Sequence, residues 1–316
     1  MKVFITRKIP AIAEELLSKN KLEVTVFQKD RQITKSELIK HAKDADGIIT
    51  LLSDKIDKEI IDNLPKCKVI ANYAVGYNNI DVGYAKSKNI VVTNTPDILT
   101  NATADLALSL ILTCARNVLP GEEMVREGRF KGWGAQTLLG IELNGKTAGI
   151  IGAGRIGQAA AKRLKAFGCD LIYYNRTVKK GFEKETGAKK VSLNALLKKS
   201  DIISIHIPYT KETFHLLNSG NMGLIKQTAI IVNTARGEIT DENVLIKMLK
   251  QKKIFSAGLD VYENEPDIKK EFLKLKNVVL LPHLGSATFD ARNGMAELAA
   301  RNVINVLRGK KAITQV

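Results

Sequence analysis

The sequence predicts an α/β protein of two doubly wound parallel-sheet domains, the second inserted into the first. Three observations carry this reading. Short apolar runs alternate with helical patterns from end to end, as in parallel sheets joined by crossover helices. The 316 residues, 45% of them hydrophobic, suffice for two domains that each bury a core. A glycine-rich segment, Gly152-Ala153-Gly154-Arg155-Ile156-Gly157, joins an apolar strand to a helical pattern.

In the first domain, strands are expected over residues 3–6, 23–27, 47–50, 69–72 and 90–93. Helices are expected over 11–18, 35–43, 58–63 and 82–86. Thr95-Pro96-Asp97 marks a turn, and a long helix begins near Thr100 or Asn101. In the second set, strands are expected over 147–151, 170–174, 201–206, 229–233, 256–259 and 278–281. Helices are expected over 155–167, 193–199, 218–223, 241–250 and 286–307. The last helix follows the final strand of the second set, so it is assigned back to the first domain. The boundaries are then 1–99 with 287–316 for one domain and 100–286 for the other. No 20–50-residue repeat or low-complexity tract is evident.

The net charge of +16 comes from 49 Lys and Arg against 33 Asp and Glu. The excess is scattered in lysine pairs such as Lys179-Lys180 and Lys310-Lys311, without interleaved aromatics. This reads as solvated helix ends and loops that draw in small anions, not as a nucleic-acid surface. No apolar run reaches about 18 residues. The longest helical apolar stretch, 104–115, is interrupted by Asp105, Ser109 and Thr113. The opening Met1-Lys2-Val3-Phe4-Ile5-Thr6-Arg7 is a strand followed by charge rather than a leader, so a cytoplasmic protein without membrane contact is expected. The cysteines, Cys67, Cys114 and Cys169, form no paired-ligand spacing. They read as buried hydrophobes in a reducing compartment, and no metal site is expected.

In the glycine segment, Gly152 suits a tight turn, Gly154 lets backbone approach a pyrophosphate, and Gly157 allows close packing of helix on strand. The helix that starts at Arg155 and Ile156 turns its N-terminal N–H groups toward the phosphates. The next strand ends in Tyr174-Asn175-Arg176-Thr177. Asn175 occupies the position of the acid that would bind a ribose 2′-hydroxyl, and Asn175, Arg176 and Thr177 offer an amide, a fork and a hydroxyl. This favours NADP(H), with NAD as the alternative.

Three residues follow three strand ends on the fingerprint's edge of the second sheet: Arg236, Glu265 and His283. Arginine grips a carboxylate through two parallel hydrogen bonds. Histidine passes a proton near neutrality, and an adjacent carboxylate favours its protonated form. Together they suit reduction of a charged keto acid by hydride. Glu263 is the alternative acidic partner. His41 and His215 read as exposed or capping residues. His206, in His206-Ile207-Pro208, reads as a structural or cofactor-wall residue. In the first domain, Tyr73-Ala74-Val75-Gly76-Tyr77-Asn78 follows a strand, and Gly76 would let backbone N–H groups face an anion.

The chain resembles the D-isomer-specific 2-hydroxyacid dehydrogenases, and among them the glyoxylate/hydroxypyruvate reductases. The matching segments, in family order, are 74–81, 100–106, 152–157, 233–237, 258–263 with Glu265-Pro266, and 282–287. The resemblance implies a Rossmann cofactor domain inserted into a flavodoxin-like substrate domain, and a homodimer formed through the cofactor domains. It implies that Arg236 binds carboxylate and carbonyl, and that His283 donates the proton, paired with Glu265. It implies that Asp260 holds the nicotinamide carboxamide with Thr103, Thr234 and Ala235 nearby, that Pro208 lines the cofactor, and that backbone at Val75 and Gly76 grips the substrate carboxylate. Glu265 beside His283 departs from the formate dehydrogenase branch, which uses a glutamine, and ending at Val316 leaves no room for the regulatory extension of long phosphoglycerate dehydrogenases. Trp133 either reaches a neighbouring subunit's active site or packs in its own. Other readings are a ketoaldonate reductase, a short phosphoglycerate dehydrogenase, and a dinucleotide-sensing co-repressor without turnover.

Overall fold

The strands pair with one another in parallel, in two separate sheets. The structure, a computed structural model, describes residues 1–316. The chain divides into one unit of Met1–Leu99 with Ser286–Val316 and another of Thr100–Gly285.

The first unit runs β1 (Lys2–Ile5), α1 (Ile12–Lys19), β2 (Glu23–Val26), α2 (Lys35–Ala42), β3 (Gly47–Thr50), α3 (Lys58–Asp62), β4 (Val69–Asn72), α4 (Val82–Ser87) and β5 (Val91–Thr93). Its strand order is β2-β1-β3-β4-β5, the flavodoxin-like order, with a switch point between β1 and β3. Every residue of β3 and β4 is buried, as expected of strands covered on both faces. Phe4, Ile48, Ile70 and Val92 pack with Leu38 of α2 and Ile60 of α3. A capping box starts α2: Thr34 accepts the Glu37 N–H, and Glu37 accepts the Thr34 N–H.

The second unit runs α5 (Thr100–Ala115), α6 (Val118–Arg126), β6 (Thr147–Ile151), α7 (Arg155–Ala166), β7 (Asp170–Tyr174), α8 (Lys180–Thr186), β8 (Lys189–Lys190), α9 (Leu193–Lys199), β9 (Ile202–Ile205), β10 (Ile230–Asn233), α10 (Glu242–Lys250), β11 (Ser256–Leu259) and β12 (Val278–Leu280). The order β12-β11-β10-β9-β6-β7-β8 is the dinucleotide-binding arrangement with a seventh strand, and its switch point lies between β6 and β9. The pleat sorts neighbouring residues onto opposite faces. Ile150, Ile202, Ile230 and Val232 pack with Leu110 and Ile111 of α5 and Leu164 of α7. Ile151, Ile203 and Ile231 pack with Leu196 and Leu197 of α9 and Leu245 and Leu249 of α10. The chain then returns to the first unit as α11 (Phe289–Leu307), which packs on α1, β3 and β4 through Met295, Ala299, Val303 and Leu307.

Several local expectations are corrected. Residues 218–223 form no α-helix; only Met222–Leu224 makes a 3₁₀ turn, because Asn218 and Asn221 spend their side chains on nearby backbone. The last helix starts at Phe289 and not at 286, where the Thr288 hydroxyl accepts the Ala291 N–H. α6, α8 and β8 were not expected from the sequence; α6 carries Pro120-Gly121 in its first turn, which reads as a turn signal. The cysteines are all buried and unpaired; burial pushes the Cys67 thiol up to about 12 and those of Cys114 and Cys169 to about 11, so they behave as hydrophobes. No single helix is long and apolar enough to cross a membrane. No cluster of metal-ligating side chains occurs.

Candidate active site

At the end of β6 the chain turns through Gly152, whose φ is 99° and where a Cβ would lie 2.6 Å from the His206 carbonyl oxygen. A Cβ on Gly157, in the first turn of α7, would lie 1.9 Å from the Gly152 carbonyl oxygen. Any side chain at either position drives the helix off the turn. Gly154, the N-cap of α7, faces open space where its Cβ would be. The leading N–H groups of this 12-residue helix point out of the same end. The cradle fits a dinucleotide pyrophosphate.

Beyond β7, Asn175 is half-buried and its amide is committed: Nδ2 donates to the Thr177 carbonyl at 2.9 Å and to its hydroxyl at 3.3 Å. Arg176 and Thr177 are exposed, and Lys190 Nζ holds the Arg176 carbonyl at 3.1 Å. The amide therefore shapes the turn, and the guanidinium of Arg176 is the group left to meet a ligand. Beyond β9, His206 Nε2 and the Ser204 hydroxyl are 2.8 Å apart, and burial pushes the imidazole down to about 4. His206 is thus held neutral. The Pro208 carbonyl accepts the Thr213 hydroxyl at 2.8 Å.

After β10, Asn233 ties the loop to itself. Its Nδ2 donates to the Arg236 carbonyl at 2.8 Å and its Oδ1 accepts the Ala235 N–H at 2.9 Å. Asn233 was not singled out in the sequence; a buried asparagine closing an apolar strand was the available signal. Arg236 is half-buried, and Nη1 donates to the Ala235 carbonyl at 2.7 Å. Burial pushes its guanidinium down, and the charges of Glu265 and Glu238 oppose that push. The buried Thr234 hydroxyl has no partner in the protein.

After β11, Asp260 is fully buried. Its Oδ1 accepts the Leu284 N–H at 2.6 Å, its Oδ2 accepts the Gly285 N–H at 2.8 Å, and its own carbonyl accepts the His283 N–H at 3.0 Å. Burial pushes the Asp260 carboxyl up, against the pull of Leu284, His283 and Gly285. Thr103, from α5, donates to the Gly285 carbonyl at 3.0 Å. His283 is held at φ 55°, in the left-handed region.

His283 Nδ1 lies 2.7 Å from Glu265 Oε2, and Glu265 Oε1 accepts the Tyr262 N–H at 3.0 Å. Burial raises the Glu265 carboxyl, but the His283 hydrogen bond and charge, the Tyr262 N–H and Arg236 outweigh it and hold it below its ordinary value. With Nδ1 on the carboxylate, Nε2 is left to exchange a proton with a ligand.

Glu263, the alternative partner, belongs to another cluster. It is 2.9 Å from His215 Nε2, accepts Lys269 Nζ at 3.1 Å and accepts the Glu242 N–H at 3.1 Å. His215 is accordingly neither exposed nor capping; it is half-buried and stacked on Phe214 at 4.0 Å. His41 is exposed and stacks on Phe4 at 5.8 Å. Val75 and Gly76 lie in the first unit, in the loop after β4.

The chain is 49% identical to a glyoxylate reductase of Pyrococcus horikoshii over 98% of its own length and 93% of the relative's. Its fold superposes on the TT0316 protein of Thermus thermophilus with a TM-score of 0.95, at 41% identity and full coverage of both chains. It superposes on an NADPH-dependent glyoxylate/hydroxypyruvate reductase of Sinorhizobium meliloti, solved with NADP and malonate, with a TM-score of 0.89 at 32% identity, covering 100% of this chain and 96% of that one. Residues 108–285 match the NAD-binding domain of the D-isomer specific 2-hydroxyacid dehydrogenases. The chain belongs to that family of nicotinamide-dinucleotide-dependent oxidoreductases.

Proposed function

We propose that this protein reduces glyoxylate, and hydroxypyruvate beside it, to the corresponding 2-hydroxy acid, with NADPH as the favoured reductant. The observation that carries the reading is the 2.7 Å pair of His283 Nδ1 and Glu265 Oε2, held on the same sheet edge as Arg236. The relatives named glyoxylate reductase lend it support.

The cofactor, when bound, supplies the hydride. Gly152, Gly154 and Gly157 leave room for its pyrophosphate, and α7, starting at Arg155 and Ile156, offers its N–H groups. Thr234 brings an unpartnered hydroxyl to the carboxamide end, beside Ala235. Asp260 and Thr103 act there from already bonded positions, as the floor that fixes residues 284–285. Pro208 lines the ring side, while Asn175 and Thr177 shape the turn that presents Arg176 to a 2′-phosphate. Arg236 holds the keto acid's carboxylate and polarises its carbonyl. His283 gives a proton from Nε2 to the carbonyl oxygen, and Glu265 balances the charge the imidazolium carries until then. In the first unit, the N–H groups of Val75 and Gly76 have no acceptor in their own unit and are open to an anion.

A homodimer through the cofactor-binding unit also belongs to the proposal. α6 buries none of its side chains in its own unit, and the segment after it exposes Phe130, Leu139 and Trp133, the last at 89%. Exposed apolar surface of this kind on consecutive segments marks an interface. Trp133 then packs against the second subunit.

The test is a panel of 2-keto acids assayed with NADPH and NADH in parallel. The expected result is the highest kcat/KM for glyoxylate or hydroxypyruvate with NADPH. Absence of turnover with every keto acid would overturn the reading.

A further inference from the structure

We infer that Glu263, with Glu242 and Lys269, is a positioning residue that locks the turn carrying Glu265 to the loop carrying Arg236, so that these two side chains keep one spacing. The inference rests on the keto-acid reading above and adds residues that act only through Glu265 and Arg236.

All of these residues lie in the second unit. Glu263 and Glu265 share the turn of residues 263–266 after β11. Glu265 is bonded to His283 on one side of the turn, and Glu263 is bonded to the start of α10 on the other. There two carboxylates exchange backbone bonds. Glu263 Oε1 accepts the Glu242 N–H at 3.1 Å, and Glu242 Oε1 accepts the Glu263 N–H at 3.0 Å. The first N–H groups of a helix have no partner within it, so Glu263 satisfies one that α10 leaves open. Lys269 Nζ joins the two carboxylates, 3.1 Å from Glu263 Oε2 and 3.4 Å from Glu242 Oε2. Glu242 is 4% exposed. Burial pushes its carboxyl up and the charge of Glu263 adds to that push, while the Glu263 N–H and Lys269 oppose it. Without the cation, two like charges face each other in a mostly buried site and drive the turn off the helix.

The same turn supports the Arg236 loop. A Cβ on Gly237 would lie 2.0 Å from the Tyr262 carbonyl carbon and 2.3 Å from the Glu263 nitrogen. The backbone next to Arg236 thus rests directly on the peptide that enters the turn. His215 joins the two loops a second time. Its N–H donates to the Glu238 carbonyl at 2.8 Å, and its Nε2 donates to Glu263 Oε1 at 2.9 Å, since an ionised carboxylate only accepts. Tyr262 ties the turn to the histidine loop: its N–H donates to Glu265 Oε1, and its hydroxyl donates at 2.9 Å to the carbonyl of Leu281, two residues before His283. A turn released from Glu242 and Lys269 shifts against both loops, and it carries with it the carboxylate that orients His283.

The test uses the full-length protein. NADPH-binding sites are counted by fluorescence titration, and kcat on glyoxylate is expressed per site. Glu263→Ala removes the acceptor of Glu242, His215 and Lys269 at once. Lys269→Met removes only the cation between the carboxylates, and Lys269→Arg restores it. Lys269 is partly exposed, so its two variants decide the matter if Glu263→Ala folds poorly. In Glu263→Ala and Lys269→Met, kcat per site is expected to fall about tenfold, the worth of one hydrogen bond, with NADPH affinity retained. Lys269→Arg recovers most of that loss. A role in stability alone would lower the melting temperature and the number of sites and leave kcat per site at the wild-type value; that result would overturn this inference alone. A wild type that binds NADPH and reduces no keto acid would overturn the function on which it rests.

Discussion

Asp260 Oδ2 accepts the backbone N–H of Gly285 at 2.8 Å, and through this contact a buried carboxylate fixes the loop that carries His283. The second oxygen takes the Leu284 N–H, so both acceptors are committed to one loop. Asp260→Asn keeps the shape but replaces one acceptor with a donor, which leaves an N–H facing an NH₂ group. The expected cost is about 1–3 kcal/mol of stability. His283 loses its φ of 55° with the loop, so kcat falls as well. Thermal unfolding and steady-state kinetics check both effects; a variant with wild-type melting and turnover would remove Asp260 from this role.

Arg236→Lys should lose most activity. Lysine keeps the charge but not the planar fork that holds carboxylate and carbonyl together. Each lost charge-assisted bond is worth about 1.5–3 kcal/mol, hence roughly 10- to 150-fold in kcat/KM. Wild-type kcat/KM on glyoxylate would show that Arg236 does not touch the substrate.

The sheets and the strand ends were legible because both are written in short-range pattern. β3, β4, β9 and β10 are short, mostly apolar runs, and Arg236 and His283 stand just beyond strands that such runs define. The bonds that hold the site were not legible. Asn233, which closes the Arg236 loop, and Asp260, which closes the His283 loop, act on partners that only the fold brings near. Glu263 and Glu265 lie two residues apart, and only the turn between them sends one to His215 and the other to His283. α6 was missed for another reason: Pro120-Gly121 reads as a turn signal, although a proline is tolerated in the first turn of a helix.

Cofactor choice should reside in the turn after β7. Asn175→Asp replaces the amide that donates to the Thr177 carbonyl with a carboxylate, which loosens the turn that presents Arg176 and repels a nearby 2′-phosphate. The ratio of kcat/KM for NADPH over NADH should fall. Arg176→Ala should weaken NADPH more than NADH if the exposed guanidinium meets the 2′-phosphate as proposed. A wild type that already prefers NADH strongly would contradict this reading.

The exposed face of α6 should be an interface between copies. Val125 is 64% exposed and Leu139 67%, so Val125→Glu with Leu139→Glu costs the isolated subunit little. The wild type should elute as a dimer in size exclusion with light scattering, and the double variant as a monomer with its secondary structure intact. A monomeric wild type at micromolar concentration would sink the interface.

The pH dependence follows from Glu265. His283, the Tyr262 N–H and Arg236 hold its carboxyl below the ordinary value in the folded protein, despite burial. A depressed folded pKa contributes stability that is fully present above the unfolded pKa, about 4.3 for glutamate, and is lost as pH falls through the folded value. The acid limb of kcat/KM for keto-acid reduction should therefore lie below about 4.3 where it belongs to this group. Glu265→Gln keeps the shape and removes the charge. It should lower kcat/KM, because His283 Nδ1 loses the carboxylate that orients it, and erase that acid limb, while NADPH affinity is retained. The stability difference between wild type and Glu265→Gln should shrink as pH drops below about 4.3, because the wild-type carboxylate is then being protonated. His283→Ala should abolish most turnover and leave NADPH binding intact, which separates proton transfer from cofactor binding. Profiles of kcat/KM and melting temperature against pH, for wild type and Glu265→Gln, measure all of this. Superimposable profiles would mean that the 2.7 Å contact does not govern the proton on His283.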